Sequence, residues 1–215
     1  MTAVLLTLKV ASVATLLVLG PGIALAYLLA RKQFPGRDLL ATLTGLPLVL
    51  PPTAVGYLLL GVLSVDSPLG GWLRDLGVEV LLTWRAAVLA ASVMALPLVV
   101  QTARVAFESV DPRLEEVART LGHPPHRVWL QTTLPLAWPG LVAAAILGFT
   151  RAVGEFGATV MIAGNIPGET QTLASAIFTA QTSGTQTQAL GLIALAVAVG
   201  VVALLASERL RSRRP

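Results

Sequence analysis

The sequence predicts an all-α integral membrane protein, and three observations lead there. Only 12% of the 215 residues are charged, against 55% hydrophobic, whereas a soluble domain carries about a quarter charged residues. Mean hydropathy is +0.79. Most tellingly, the few charges are spaced so that long stretches contain none, and a helix crossing the hydrocarbon needs about 20 predominantly apolar residues. The same composition removes whole classes of chemistry. There is no cysteine, so disulfides, thiol nucleophiles and thiolate metal frameworks are excluded. The two lysines, Lys9 and Lys32, do not follow glycine as a phosphate-cradling loop requires. If ATP is used, another chain must hold it.

Five apolar runs, uncharged except at the end of the fourth, read as spans, in order 10–30, 39–65, 86–103, 134–155 and 189–206. The first lies between Lys9 and Arg31. Lys9, the apolar run and Ala24-Leu25-Ala26 imitate a cleaved signal peptide, but cleavage would put Arg31 and Lys32 outside, against the sidedness of every later loop. The second run is interrupted by Pro47, Pro51 and Pro52, which remove backbone donors, so a broken helix is expected. Such breaks are tolerated in a membrane where protein or a water-lined cavity satisfies the freed carbonyls, which places this run beside a polar path. Thr53, Thr42 and Thr44 are candidate lining hydroxyls, or hydroxyls bonded back to their own helix. The fourth run is entered through Pro135 and Pro139 and carries two charges at its end, Arg151 and Glu155. Between the fourth and fifth runs, residues 181–188 are too polar for a simple crossing, while Leu173, Ala176, Ile177 and Ala180 share one helical face, predicting a short or re-entrant helix over 172–180. Asn165-Ile166-Pro167-Gly168 before it is a turn.

Basic residues set the orientation, because they concentrate in cytoplasmic loops. Eleven of the fifteen fall in the first connection, the third connection and the tail, including Arg31, Arg37, Arg104, Arg113, Arg119, Arg127 and the Arg209–Arg214 cluster. Five spans alternate correctly with this pattern, giving an outside N-terminus and a cytoplasmic C-terminus, with 211–215 a basic tail. The pI near 10.3 is then a topology signal and calls for no nucleic acid. Trp72 and Trp84, beside the outer loop, suit interfacial anchors.

The connection 104–133 is long and patterned. Asp111 and Pro112 supply an N-cap and a first-turn proline, Glu115 makes that turn acidic, Leu114, Val117, Ala118 and Leu121 form an apolar stripe, and Gly122 ends the helix. A second short helix starts after Pro124-Pro125 and runs toward Leu134-Pro135. A short amphipathic helix of this kind lies at lipid headgroups or docks in a partner's groove. His123 and His126, separated by two prolines and lacking a third ligand nearby, do not make a metal site.

Glu116-Val117-Ala118, with Gly122 four residues on and Leu134-Pro135 following, resembles the Glu-Ala-Ala coupling loop of ABC-importer permeases, with Val117 in place of the first alanine. Residues 46–60, 84–91, Gly154-Glu155-Phe156-Gly157-Ala158-Thr159 and the run from Asn165 to Thr172 are similar to segments of the molybdate ABC-transporter permease family. The resemblance extends over about residues 8–210 and implies one transmembrane domain of the type I ABC-importer permease fold. It also implies a non-catalytic membrane subunit: a homodimer with two cytoplasmic ATPases that bind ATP and magnesium, and an extracytoplasmic oxyanion-binding protein. Molybdate is the nearest implied substrate, with sulfate, thiosulfate and tungstate close behind. The loop residues Leu114, Glu116, Val117, Ala118, Leu121, Gly122 and Pro135 would then couple to the ATPase.

Intramembrane charges are functional candidates by default. Arg151 and Glu155, at i and i+4, can pair on one helix face, either as a self-neutralising structural pair or as part of a gate. Gly154 and Gly157 permit close backbone approach, as at a constriction where two copies meet. An ATPase-independent anion transporter is the rival class. Against it stand the absence of any recognisable inverted repeat and of a set of coupling carboxylates.

Overall fold

In the computed structural model, residues 2–212 are described, with side chains as far as Val202. The chain runs as α1 (Ala3–Arg31), α2 (Arg37–Val49), α3 (Pro52–Leu63), α4 (Pro68–Asp75), α5 (Trp84–Glu108), α6 (Pro112–Thr120), α7 (Pro125–Val128), a π-helical turn (Trp129–Thr133), α8 (Leu134–Val153), α9 (Gly157–Ala163), α10 (Leu173–Thr182) and α11 (Gln186–Ser212). Among the described residues the regular structure is entirely helical.

Small side chains build the centre. Between helices in lipid there is no hydrophobic drive of the aqueous kind, so association relies on close van der Waals packing. Accordingly Ala11 and Ala14 of α1, Ala87, Ala91 and Ala95 of α5, and Ala144 of α8 are completely buried, and α5 packs along both α1 and α8. Larger side chains such as Leu16 and Leu17 of α1 are exposed, which costs nothing on a helix face that meets lipid. At one end of this bundle Tyr27 meets Phe107 and Trp129 edge to face, at 5.2 and 6.1 Å. At the other, the Lys9 ammonium sits 3.6 Å over the Trp84 ring, a cation–π contact beyond the anchoring role read from sequence.

The second uncharged run, 39–65, is not one continuous span. Its two helices, α2 and α3, meet at a bend of 113°. Pro47 is accommodated inside α2; the break comes at Leu50-Pro51, and Pro52 opens α3 at a first-turn position where its missing N–H costs nothing. α2 has 13 residues, about 20 Å of helix at 1.5 Å per residue, so it alone is shorter than the hydrocarbon core. Three helical stretches are long and apolar enough to cross, α1, α5 and the combined 125–153 helix, or four if the bent pair counts as one crossing. α11 is apolar over Gln186–Val202. The remainder of the expected fifth span has no described side chains, and Arg213 and Arg214 of the basic tail lie outside the described residues.

The loop boundaries also move. α5 continues to Glu108, and the fourth span begins at Pro125 rather than Leu134. The expected second short helix is its first turns. Pro135 cannot donate and its ring crowds the preceding turn; immediately before it the helix widens to a π turn, with the Leu134 N–H bonding the Trp129 carbonyl. Helical continuity survives the proline, and the patterned connection shrinks to residues 109–124.

Candidate functional site

α6 forms as its sequence predicts. The Asp111 carboxylate accepts from the Arg113 N–H at 2.9 Å. At the other end Gly122 adopts φ +85°, and the His123 N–H bonds the Ala118 carbonyl at 3.2 Å. A side chain would strain this left-handed closure, which is why glycine stands there. Leu114, Val117 and Leu121 are exposed, Leu121 by 74%, and Ala118 is half-buried. The stripe therefore faces away from the rest of the chain, and so does Glu116. Exposed leucine and valine side by side on a nine-residue helix are costly in water unless something covers them. Both histidines are exposed.

Glu115 behaves in the opposite way. It is only 8% exposed and lies on the back of α6. Its Oε1 accepts from the Thr133 hydroxyl at 2.9 Å and lies 3.1 Å from Arg31 Nη2, while its Oε2 is 3.6 Å from Arg119 Nη2. From sequence, Glu115 is only an acidic first-turn residue and Arg31 only a topology marker. The signal that separates them from their neighbours is position: Glu115 is off the apolar stripe, yet the helix must have a face toward the membrane body.

A second constellation forms where α8 ends. Arg151 Nη1 and Glu155 Oε2 are 2.7 Å apart, the glutamate side chain 2% exposed. The other oxygen of Glu155 accepts from the Ala158 N–H at 2.8 Å, so the carboxylate ties the last turn of α8 to the first of α9. α9 in turn packs on α3. A Cβ placed on Gly157 would lie 2.8 Å from that of Pro52, and one on Gly56 2.7 Å from that of Met161. The two helix breaks, Pro51-Pro52 and Gly154–Phe156, thus bring their following half-helices together. Within the chain, the close approach at Gly157 is to Pro52 and Thr53. At Gly154 a Cβ would meet nothing of the same chain nearer than 3.8 Å. Pro51, Pro52 and Thr53 are exposed in the single chain. Thr42 and Thr44 instead bond back to the Asp38 and Leu40 carbonyls at 2.8 and 2.7 Å.

The run from Asn165 to Thr172 is a folded connector. Asn165 donates to the Thr179 hydroxyl at 2.8 Å and accepts from Gln171 at 3.1 Å, and the buried Thr170 hydroxyl accepts from the Ile166 N–H at 3.0 Å. It delivers α10, capped by Thr172, to α1, where the Leu173 N–H bonds the Thr7 hydroxyl at 2.8 Å. The short helix expected over 172–180 is therefore present.

Residues 22–214 match the family described as binding-protein-dependent transport system inner membrane component. The chain belongs to this family. Among curated members, the molybdenum transport system permease protein ModB of Escherichia coli K12 is 48% identical over 96% of this chain and 91% of its own length. ModB of Haemophilus influenzae is 42% identical over 99% and 93%. The sulfate transport system permease protein CysT of Escherichia coli K12 is 35% identical over 89% and 69%. Among solved structures, the MetNI methionine ABC transporter, in inward-facing conformations, gives a TM-score of 0.73 at 19% identity over 96% of this chain and 92% of that one. An amino acid ABC transporter with histidines gives 0.69 at 15% identity over 99% and 92%. The family's fold is thus that of ABC-importer permeases, and the chain is a multi-pass membrane protein. Its patterned loop keeps an uncovered apolar face at Leu114, Val117 and Leu121.

Proposed function

We propose that this chain is the membrane subunit of an ATP-driven molybdate importer. The observation that carries the reading is the outward-facing stripe of α6, Leu114, Val117 and Leu121, on a chain whose near relatives are molybdenum permeases. Two copies enclose the path, because the helices of one chain are too few to surround a hydrated dianion. Each copy crosses five times, α2 with α3 making one broken crossing and α11 the last, with the N-terminus outside and the basic tail cytoplasmic. α6 docks on a cytoplasmic ATPase that holds ATP and magnesium, and an extracytoplasmic binding protein delivers the anion. The permease itself is non-catalytic. Closure of the ATPase pair moves α6, the continuous 125–153 helix carries that movement into the membrane, and access alternates between inward- and outward-open states. The paired Arg151 presents no free charge to trap a dianion, so contact along the path stays weak and affinity resides in the binding protein.

The test is uptake of radiolabelled molybdate into proteoliposomes holding permease, ATPase and binding protein. The expected result is ATP-dependent uptake of molybdate in preference to sulfate, in line with the higher identity to the molybdenum permeases. Uptake without ATP would favour the secondary-transporter class. Preferential sulfate uptake would favour the second reading, which the 35% identity to CysT supports.

A further inference from the structure

The back of α6 is held to the membrane body through one buried carboxylate. Arg31, the last residue of α1, uses Nη2 both to donate to the Val110 carbonyl at 2.9 Å and to meet Glu115 at 3.1 Å. The Thr133 hydroxyl, in the π turn at the head of α8, donates to the same carboxylate oxygen. Side-chain exposures of Arg31 and Glu115 are 13% and 10%. Among the described residues Arg31 Nε has no hydrogen-bond partner, so Glu115 and Val110 alone orient this guanidinium. Three segments remote in sequence, the end of α1, the front of α6 and the start of the fourth span, therefore converge on Glu115.

Geometry gives this node a use. The chain enters α6 through Val110 and leaves it through Gly122 and Pro124, both short and turn-forming, so covalent connection by itself lets α6 pivot. A docked helix that pivots moves without moving the membrane. The ion pair removes that freedom, and α1 runs the length of α5 and contacts α8, so its inner end is a handle on the whole bundle. We propose that Glu115 and Arg31 form a latch that hands movement of α6 directly to α1, which makes Glu115 a positioning residue of the transport cycle. This rests on the proposed function, and it assigns to α1 a part of the coupling that the continuous helix into α8 does not supply.

The latch is tested in the complete reconstituted complex by measuring molybdate taken up per ATP hydrolysed, alongside co-purification of the ATPase. Glu115→Gln keeps the shape and an acceptor for Thr133 but loses the charge. The expected result is retained ATPase co-purification and a fall in uptake per ATP of about tenfold, the size of an ordinary coupling free energy. Arg31→Lys, which keeps the charge, should recover much of that ratio, and Arg31→Met should not. The latch is refuted if Glu115→Gln keeps the wild-type ratio, or if uptake and ATPase co-purification decline together, which is the mark of a merely structural contact. A wild-type complex without ATP-dependent uptake refutes the proposed function instead, and with it the latch.

Discussion

At the residue scale, several charges serve more than one purpose. Arg31 and Arg37 mark one side of the membrane, yet Arg31 also holds Glu115, and Arg37 closes the end of α1 by donating to the Leu29 carbonyl at 2.9 and 2.7 Å. Glu155 is the most exacting case, because its buried carboxylate is satisfied by both Arg151 and the Ala158 N–H. Removing only the arginine leaves that charge half-served. Breaking a buried pair from one side costs on the order of 3 kcal/mol, more than replacing both members. Arg151→Ala should therefore lower the unfolding temperature in detergent more than Arg151→Ala with Glu155→Gln, whose amide oxygen still accepts from Ala158. Equal losses would mean that the charge of Glu155 is stabilised by something other than Arg151. The i, i+4 spacing made the pairing legible; the Ala158 contact was not, since it depends on where α9 starts after the break.

At the element scale, the two half-helices α3 and α9 lean on each other through positions that admit no side chain. Gly56→Ala would place a Cβ 2.9 Å from the Ala158 Cα as well as against Met161, a backbone clash that cannot relax cheaply. It should destabilise by about 1–3 kcal/mol. Gly61→Ala in the same helix, with nothing within 4 Å, should instead stabilise slightly by raising helix propensity. Thermal unfolding of both variants compares them directly. For α6 the prediction concerns docking. A Cβ at Gly122 meets nothing within 4 Å and the residue is exposed, so Gly122→Trp should cost about 1–2 kcal/mol of left-handed strain while placing a bulky ring beside the exposed stripe. Gly122→Trp and Glu116→Lys should each abolish uptake while the protein still inserts at normal levels. Wild-type uptake in both would remove α6 from the coupling path. The helix, its caps and its stripe were legible because all three are local patterns. Which face would be buried was not, since the partner of Glu115 lies at the end of α1.

At the scale of the whole molecule, the absence of native cysteine makes sidedness directly measurable. Arg113→Cys and Glu169→Cys, both at exposed positions, should react with an impermeant maleimide from opposite sides of the membrane. Glu169 is preferable to its neighbour Gly168, whose φ of +83° a cysteine would strain. Labelling from the same side would overturn the orientation. The sequence by itself determined that this chain lives in lipid, where its apolar runs lie and which loop carries a short capped helix with an apolar stripe. Each of those is set by composition or spacing within a few turns of helix, and transfer to lipid depends on nothing else. Tertiary structure alone decided that 39–65 folds into a bent pair, that its second half packs on α9, that the fourth span reaches back to Pro125, and that Glu115 joins Arg31 and Thr133. A proline says where a helix can break but not through what angle. The partner of a buried charge is chosen by the packing that brings distant segments together.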